Sequence, residues 1–225
     1  MTLVKICGIR EPGSCLAAIE AGADFIGMVF APSRRRVTAE TAAELSSLVH
    51  SSKPGVAAVG VFVNQPLIEV NQTALEFHLD RVQLSGDESW NYCAAVGRPV
   101  IKAFHISETT QLDQISRKVD EGFQRLGSNL VVLLDTAVPG LFGGTGTTFQ
   151  WQRVRELIGR DKLMIAGGLD PENIGNFVRE FGPWGVDVSS GVETQGEKDV
   201  RKISDFILNA RSISRREPNA GYNEK

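Results

Sequence analysis

Eight short apolar segments rich in β-branched residues recur along the chain, and their even spacing limits the folds open to it. They begin near Leu3, Asp24, Ala57, Leu79, Pro99, Asn129, Lys162 and Trp184, 20 to 33 residues apart. Each interval accommodates one strand, one helix and two short loops. Helical spacing appears between them. Residues 38–48 carry Ala42, Leu45 and Leu48 on one face, and residues 198–210 carry Val200, Ile203, Ile207 and Leu208. Asp170-Pro171-Glu172-Asn173 reads as a helix start, with Asp as N-cap and Pro at the first helical position. Eight alternating strands and helices can form an open doubly wound sheet or a closed barrel. The count, the spacing and the 225-residue length favour a single α/β domain, a (β/α)8 barrel of the TIM type, over residues 1–210. Residues 211–225 are almost devoid of apolar side chains and are expected to fray as a polar tail.

Composition narrows the function classes. The charge sum is 24 − 27 = −3, which provides no general attraction for nucleic acid or anionic membrane. No apolar stretch reaches the ~18 residues of a membrane span, and the first ten residues lack the layout of a secretory signal. Cys7, Cys15 and Cys93 show neither zinc-ligand nor disulfide-framework spacing. Reduced thiols in a cytoplasmic protein that needs no metal are expected.

In a barrel of this kind, chemistry belongs at the C-terminal strand ends, where side chains alternate between lumen and helix layer. In the first strand, Val4 and Ile6 suit the helix layer, so Lys5 and Cys7 point inward with Cys7 nearer the mouth. A buried cysteine is most often an inert thiol. A lysine two residues away on the same face favours the thiolate and would make Cys7 a base or nucleophile. In the sixth strand Val131, Leu133 and Asp135 share a face, bringing Asp135 to the mouth; the competing role is a turn or cap aspartate. Gly140, Gly143, Gly144 and Gly146 follow, and this segment reads either as a mobile lid over the mouth or as a plain surface loop.

After the second strand, Arg34-Arg35-Arg36 could clamp a carboxylate or phosphate, or could simply be solvated. The seventh and eighth strands end in Gly167-Gly168 and Ser190-Gly191-Val192. Small residues there let backbone N–H groups approach an anion, and this is where such barrels hold phosphate. Together the two loops point to a phosphorylated small-molecule substrate.

These segments, in order, resemble the phosphoribosylanthranilate isomerase family of tryptophan biosynthesis. The similar stretches are KICGIR at 5–10, GADFIGMVF at 22–30, PSRRR at 32–36, VGVFVN at 59–64, VQLSGDES at 82–89 and IKAF at 101–104. They continue with LLDT at 133–136, GGTGTTFQW at 143–151, AGGLDPENI at 166–174 and GVDVSSGVETQGEKD at 185–199. The resemblance implies an Amadori rearrangement of N-(5-phosphoribosyl)anthranilate to 1-(2-carboxyphenylamino)-1-deoxyribulose 5-phosphate, without a cofactor. It implies Cys7 as general base, Asp135 as general acid and Arg36 on the anthranilate carboxylate. Phosphate would lie on Gly167, Gly168, Ser190, Gly191 and Val192, with Lys5 and Asp187 in support. Other tryptophan-pathway enzymes are the protein partners it suggests, since fungal relatives are often fused to them.

One position departs from the family pattern. Gln83-Leu84-Ser85-Gly86 stands where the family usually reads Gln-Leu-His-Gly, and neither His78 nor His105 is an obvious replacement. The histidine-pathway aminoaldose isomerase uses two aspartates, which Cys7 argues against. Indole-glycerol-phosphate synthase needs a lysine and a glutamate at strand ends that are not found here. A barrel that binds phosphorylated ligands with weak or no turnover is the alternative outside these enzymes.

Overall fold

The computed structural model describes residues 1–52, 54–107, 109–135 and 151–212. The strands are β1 (Leu3–Cys7), β2 (Phe25–Val29), β3 (Ala57–Phe62), β4 (Arg81–Leu84), β5 (Val100–His105), β6 (Leu130–Asp135), β7 (Leu163–Ala166) and β8 (Gly185–Val188). Each starts within two residues of its expected position. They pair in sequence order, all parallel, and β8 closes onto β1 through Lys5↔Asp187 and its neighbours. Closure removes both sheet edges and excludes the open sheet.

Among the described residues the helices are α1 (Pro12–Ala21), α2 (Ala39–Ser52), α3 (Leu67–Glu76), α4 (Trp90–Ala95), α5 (Leu112–Leu126), α6 (Arg155–Ile158), α7 (Ile174–Phe181) and α8 (Val200–Arg211). A two-stranded hairpin, Glu193–Thr194 with Glu197–Lys198, lies between β8 and α8. Alternation along the strands creates two apolar layers. Phe25, Val59, Ile101, Ala103, Val131, Leu133, Met164 and Ala166 fill the lumen. Val4, Ile6, Ile26, Val132, Leu134 and Ile165 pack outward against the helices. Fully burying each such aliphatic side chain stabilises the fold by about 1.5–3 kcal/mol.

Three local expectations need correction. Helix α7 begins at Ile174, although Asp170 does act at its entry: Asn173 N donates to Asp170 Oδ1, and Asp170 N donates to Asn173 Oδ1. This reciprocal capping holds residues 171–173 in a turn before regular helix starts. On α8 the buried stripe is Ile203, Phe206, Ile207 and Ala210, whereas Val200 and Leu208 are exposed. Helix α8 also runs one residue past Ala210, where Arg211 Nη2 pairs with Asp24 Oδ2 at 2.7 Å. The rest of the expected tail, 213–225, and the glycine-rich lid at 140–146 lie outside the described residues.

Candidate active site at the barrel mouth

Lys5 and Cys7 face the lumen, as alternation requires. Lys5 is fully buried, and its Nζ lies 2.9 Å from Asp187 Oδ1 on the adjoining strand β8. Space for both groups comes from Gly27 on β2. A Cβ at that position would lie 3.0 Å from Cys7 Sγ and 3.1 Å from Lys5 Nζ. Burial works against the ammonium, but Asp187 and then Cys7 hold Lys5 above its ordinary value. An unpaired ammonium in this position would cost several kcal/mol.

The effect on Cys7 differs from expectation. Burial pushes the thiol above its ordinary value; Lys5 pulls it down, but Asp187 pushes it up again. Lys5 therefore acts in the expected direction without controlling the outcome, because Asp187 already neutralises much of its charge. Cys7 retains 8 % exposure at the mouth, unlike Cys15 and Cys93 at 0 and 1 %. Burial alone pushes Cys15 up to about 12. Burial is also the chief cause that brings Cys93 to about 11.

Asp135 ends β6 with its side chain 29 % exposed, and its register partner on β5 is His105. His105 Nδ1 stands 3.4 Å from Asp135 Oδ2, and His105 Nε2 lies 3.1 Å from the Ser85 carbonyl oxygen. Ser85 is itself at the mouth, where its Oγ accepts from Gln83 Nε2 at 3.0 Å. His105 thus comes beside the expected acid, contrary to the sequence reading. His78 instead adjoins Leu79 at the start of the β4 region, away from the C-terminal ends.

The three arginines are not equivalent. Arg35 makes a bidentate contact with Glu193, Nε–Oε1 2.6 Å and Nη2–Oε2 2.9 Å, and Arg34 Nη2 lies 3.0 Å from the same carboxylate. Arg36 is exposed and has no side-chain partner among the described residues. Its backbone bridges to Val29 at the end of β2. Arg36 is thus the arginine left available to a ligand.

The loops after β7 and β8 meet. Gly167 and Gly168 have φ of +95° and +67°, a left-handed pair that side-chain-bearing residues rarely adopt. Asn173 Nδ2 donates to the Gly168 carbonyl at 2.7 Å. Ser190–Val192 form one 3-10 turn, and a Cβ on Gly191 would lie 1.9 Å from the Leu169 carbonyl oxygen. Val192 buries its side chain completely, so it can offer a ligand only backbone.

Two further features were not anticipated from the sequence. Lys198 Nζ donates to Ser189 O at 2.8 Å and pairs with Glu193 Oε1 at 3.0 Å, so a nearly buried cation underlies the β8 loop. Glu88 ties the segments after β3 and β4 to β5, accepting from Asn64 N at 2.8 Å, Gly86 N at 3.0 Å and Lys102 Nζ at 2.8 Å. Lys102 lies on the outward side of β5, between lumen-facing Ile101 and Ala103. A polar residue in an otherwise apolar outward register was the one available clue.

A closed parallel barrel whose ionisable groups converge at the C-terminal mouth defines a (β/α)8-barrel enzyme. A sequence profile described as N-(5'phosphoribosyl)anthranilate (PRA) isomerase matches residues 4–209. An N-(5'-phosphoribosyl)anthranilate isomerase from Dehalococcoides mccartyi is 48 % identical over 207 residues, 92 % of this chain and 94 % of that protein. The one from Roseiflexus castenholzii is 42 % identical, covering 95 % and 100 %. A crystal structure of phosphoribosyl anthranilate isomerase from Thermotoga maritima superposes with TM-score 0.78 at 36 % identity, covering 94 % and 100 %. Another, in complex with reduced 1-(o-carboxyphenylamino)-1-deoxyribulose 5-phosphate, superposes with TM-score 0.74 at 34 % identity, with the same coverage. The chain belongs to the phosphoribosylanthranilate isomerase family, enzymes of tryptophan biosynthesis.

Proposed function

We propose that the barrel mouth carries out the family's reaction as an Amadori rearrangement, with Cys7 as general base and Asp135 as general acid. Asp135 gives its proton to the furanose ring oxygen while the C1–O bond breaks, leaving a C1=N iminium. Cys7, as thiolate, removes the proton from C2, and the electron pair moves to form the enolamine. Protonation of C1 and loss of the C2 hydroxyl proton then yield the aminoketose. A positioned acid and base typically contribute 10²–10⁴-fold each.

The observation that carries this reading is that Cys7 ends β1 and Asp135 ends β6, so both stand at the C-terminal mouth of the same closed barrel. Asp187 bonds to Lys5 beneath Cys7, and the negative charge of Asp135 favours its protonated form. Ionisable groups from β1, β6 and β8 therefore share one electrostatic site.

Arg36 is proposed for the anthranilate carboxylate. The backbone N–H groups of Gly168, Gly191 and Val192 are proposed for the phosphate, with Gly167 and Ser190 shaping their loops. A substrate anchored at both ends reaches the acid and base with its orientation already set. A cytoplasmic setting belongs to the same proposal, since a catalytic Cys7 must remain reduced; all three cysteines are free and buried.

Phosphoribosylanthranilate is fluorescent, so loss of its fluorescence on adding the protein tests the reading directly. Steady decay with formation of the aminoketose is expected. Binding without decay would favour a phosphate-ligand-binding barrel instead.

A further inference from the structure

The strand register places an imidazole next to the proposed acid. Ile101 and Ala103 point into the lumen, so alternation along β5 directs His105 to the mouth. Its register partner on β6 is Asp135, and side chains at paired positions of adjacent parallel strands project to the same side. The ring is fixed at both nitrogens: Nε2–H donates to Ser85 O at 3.1 Å, which leaves Nδ1 facing Asp135 Oδ2 at 3.4 Å. Its side chain is 64 % exposed, so solvent reaches the ring. Exposed pairs of this kind contribute little to stability, so the fold does not account for the arrangement.

We propose that His105 is a positioning and proton-reloading residue for Asp135, a proposal that rests on the acid role assigned to Asp135 above. Once Asp135 has given its proton to the ring oxygen, the imidazolium Nδ1–H passes its proton to Asp135 Oδ2. The neutral imidazole then takes a proton from water. One proton enters from solvent to reload Asp135 and the C2 hydroxyl proton leaves to solvent, while Cys7 passes the C2 proton to C1, so the isomerisation is proton-neutral and both groups return to their starting states. The Ser85 carbonyl holds the Nε2–H throughout, so the exchanging proton is always the one on Nδ1.

The surroundings are consistent with a protonated ring near neutral pH. Hydrogen bonding to Asp135 raises the imidazole above its ordinary range against the opposing effect of burial, and the Ser85 carbonyl adds to the rise. Lys102, on the same strand, opposes it and is itself tied to Glu88. Across the mouth, Asp187 senses Asp135 but is engaged by Lys5. The turn after β5 is held by Arg153, whose Nη1 donates to Ser107 O at 2.8 Å.

His105→Gln tests the proposal, because the amide can still bond to Ser85 and meet Asp135 but cannot carry a proton. The expected result is a kcat lowered by roughly 10²-fold at neutral pH, the low end for one acid–base group, with KM and Tm nearly unchanged. The wild-type kcat should fall as pH rises through the His105 titration, and this basic limb should move to lower pH in the variant. NMR titration of the His105 ring needs no substrate and should show its pKa falling when Asp135→Asn removes the partner charge. A wild-type pH profile and kcat in His105→Gln, or a His105 titration indifferent to Asp135→Asn, would overturn the proposal. If the wild-type chain does not consume phosphoribosylanthranilate at all, the functional reading fails and this proposal fails with it. Turnover by the wild type with an unaltered variant would remove this proposal alone.

Discussion

Lys5 Nζ lies 2.9 Å from Asp187 Oδ1, directly beneath Cys7 and with no exposure to solvent. The pair closes the barrel as well as serving the site, because Lys5 and Asp187 are register partners across the β1–β8 seam. A charge that would otherwise favour the Cys7 thiolate is thus shared with a carboxylate. Burial and Asp187 hold the Cys7 thiol above its ordinary value, and in the proposed mechanism the positive charge that favours its thiolate is the iminium developing on the substrate.

Removing either reacting group should abolish turnover while sparing the fold. Cys7→Ala should lower kcat by at least ~10²-fold. Asp135→Asn should lower kcat with KM largely retained, the pattern of an interaction made in the transition state. Steady-state fluorescence kinetics check both. A Cys7→Ala enzyme near wild-type turnover, or an Asp135→Asn enzyme altered only in KM, would reverse the corresponding assignment. Because burial raises Cys7, its alkylation by iodoacetamide should accelerate only above the ordinary thiol range.

The arginines should separate by readout. Arg36→Met removes an exposed fork that no described residue occupies, so it should raise KM by roughly 10- to 100-fold, the equivalent of ~1.5–3 kcal/mol for a charge-assisted bond. Arg35→Met removes the bidentate contact to Glu193 and should lower Tm instead. Arg34→Met should do little, because Arg34 is 62 % exposed and Glu193 retains Arg35 and Lys198. Similar KM effects for all three would indicate a diffuse basic patch.

The phosphate loops can be examined without substrate. Inorganic phosphate should compete with substrate, and in a crystal it should lie within hydrogen-bond distance of the Gly168, Gly191 and Val192 N–H groups. Gly191→Val should abolish this competition and also lower Tm, because its Cβ would collide with the Leu169 carbonyl and force the two loops apart. Unchanged phosphate inhibition in that variant would move the anion to Arg34–Arg36 and reverse the substrate's orientation.

Glu88 should dominate acid sensitivity near the β3–β5 strand ends. Burial alone would push its carboxyl up, but hydrogen bonds from Lys102 and from the Asn64 backbone bring it below its ordinary 4.5. A depressed carboxylate stabilises the fold at pH above its unfolded value, and this contribution is lost as pH falls through the lower folded value. Glu88→Gln leaves buried Lys102 without its counter-charge and should cost about 3 kcal/mol or more at neutral pH. The gap to wild type should narrow below pH ~4.5. Denaturant unfolding across pH measures this, and a gap independent of pH would show that the Glu88 charge is immaterial.

The order and number of the strands were legible in the sequence because each strand carries its own apolar, β-branched run, a local property. The inward direction of Lys5, Cys7 and Asp135 was legible for the same reason, since alternation with period two needs only neighbouring residues. Partners were not legible. Asp187 lies 182 residues from Lys5, and Glu193 lies 158 from Arg35, so only closure of the barrel brings them together. That closure pairs Lys5 with Asp187, engages Arg35 with Glu193 and holds the Cys7 thiol above its ordinary value. His105 shows the same division: nothing in its neighbours marked it for the mouth, and its contact with Asp135 follows from the β5–β6 register. Local pattern determined which residues reach the mouth. Tertiary structure decided which partners they meet there, because burial and through-space neighbours are not specified by the order of residues.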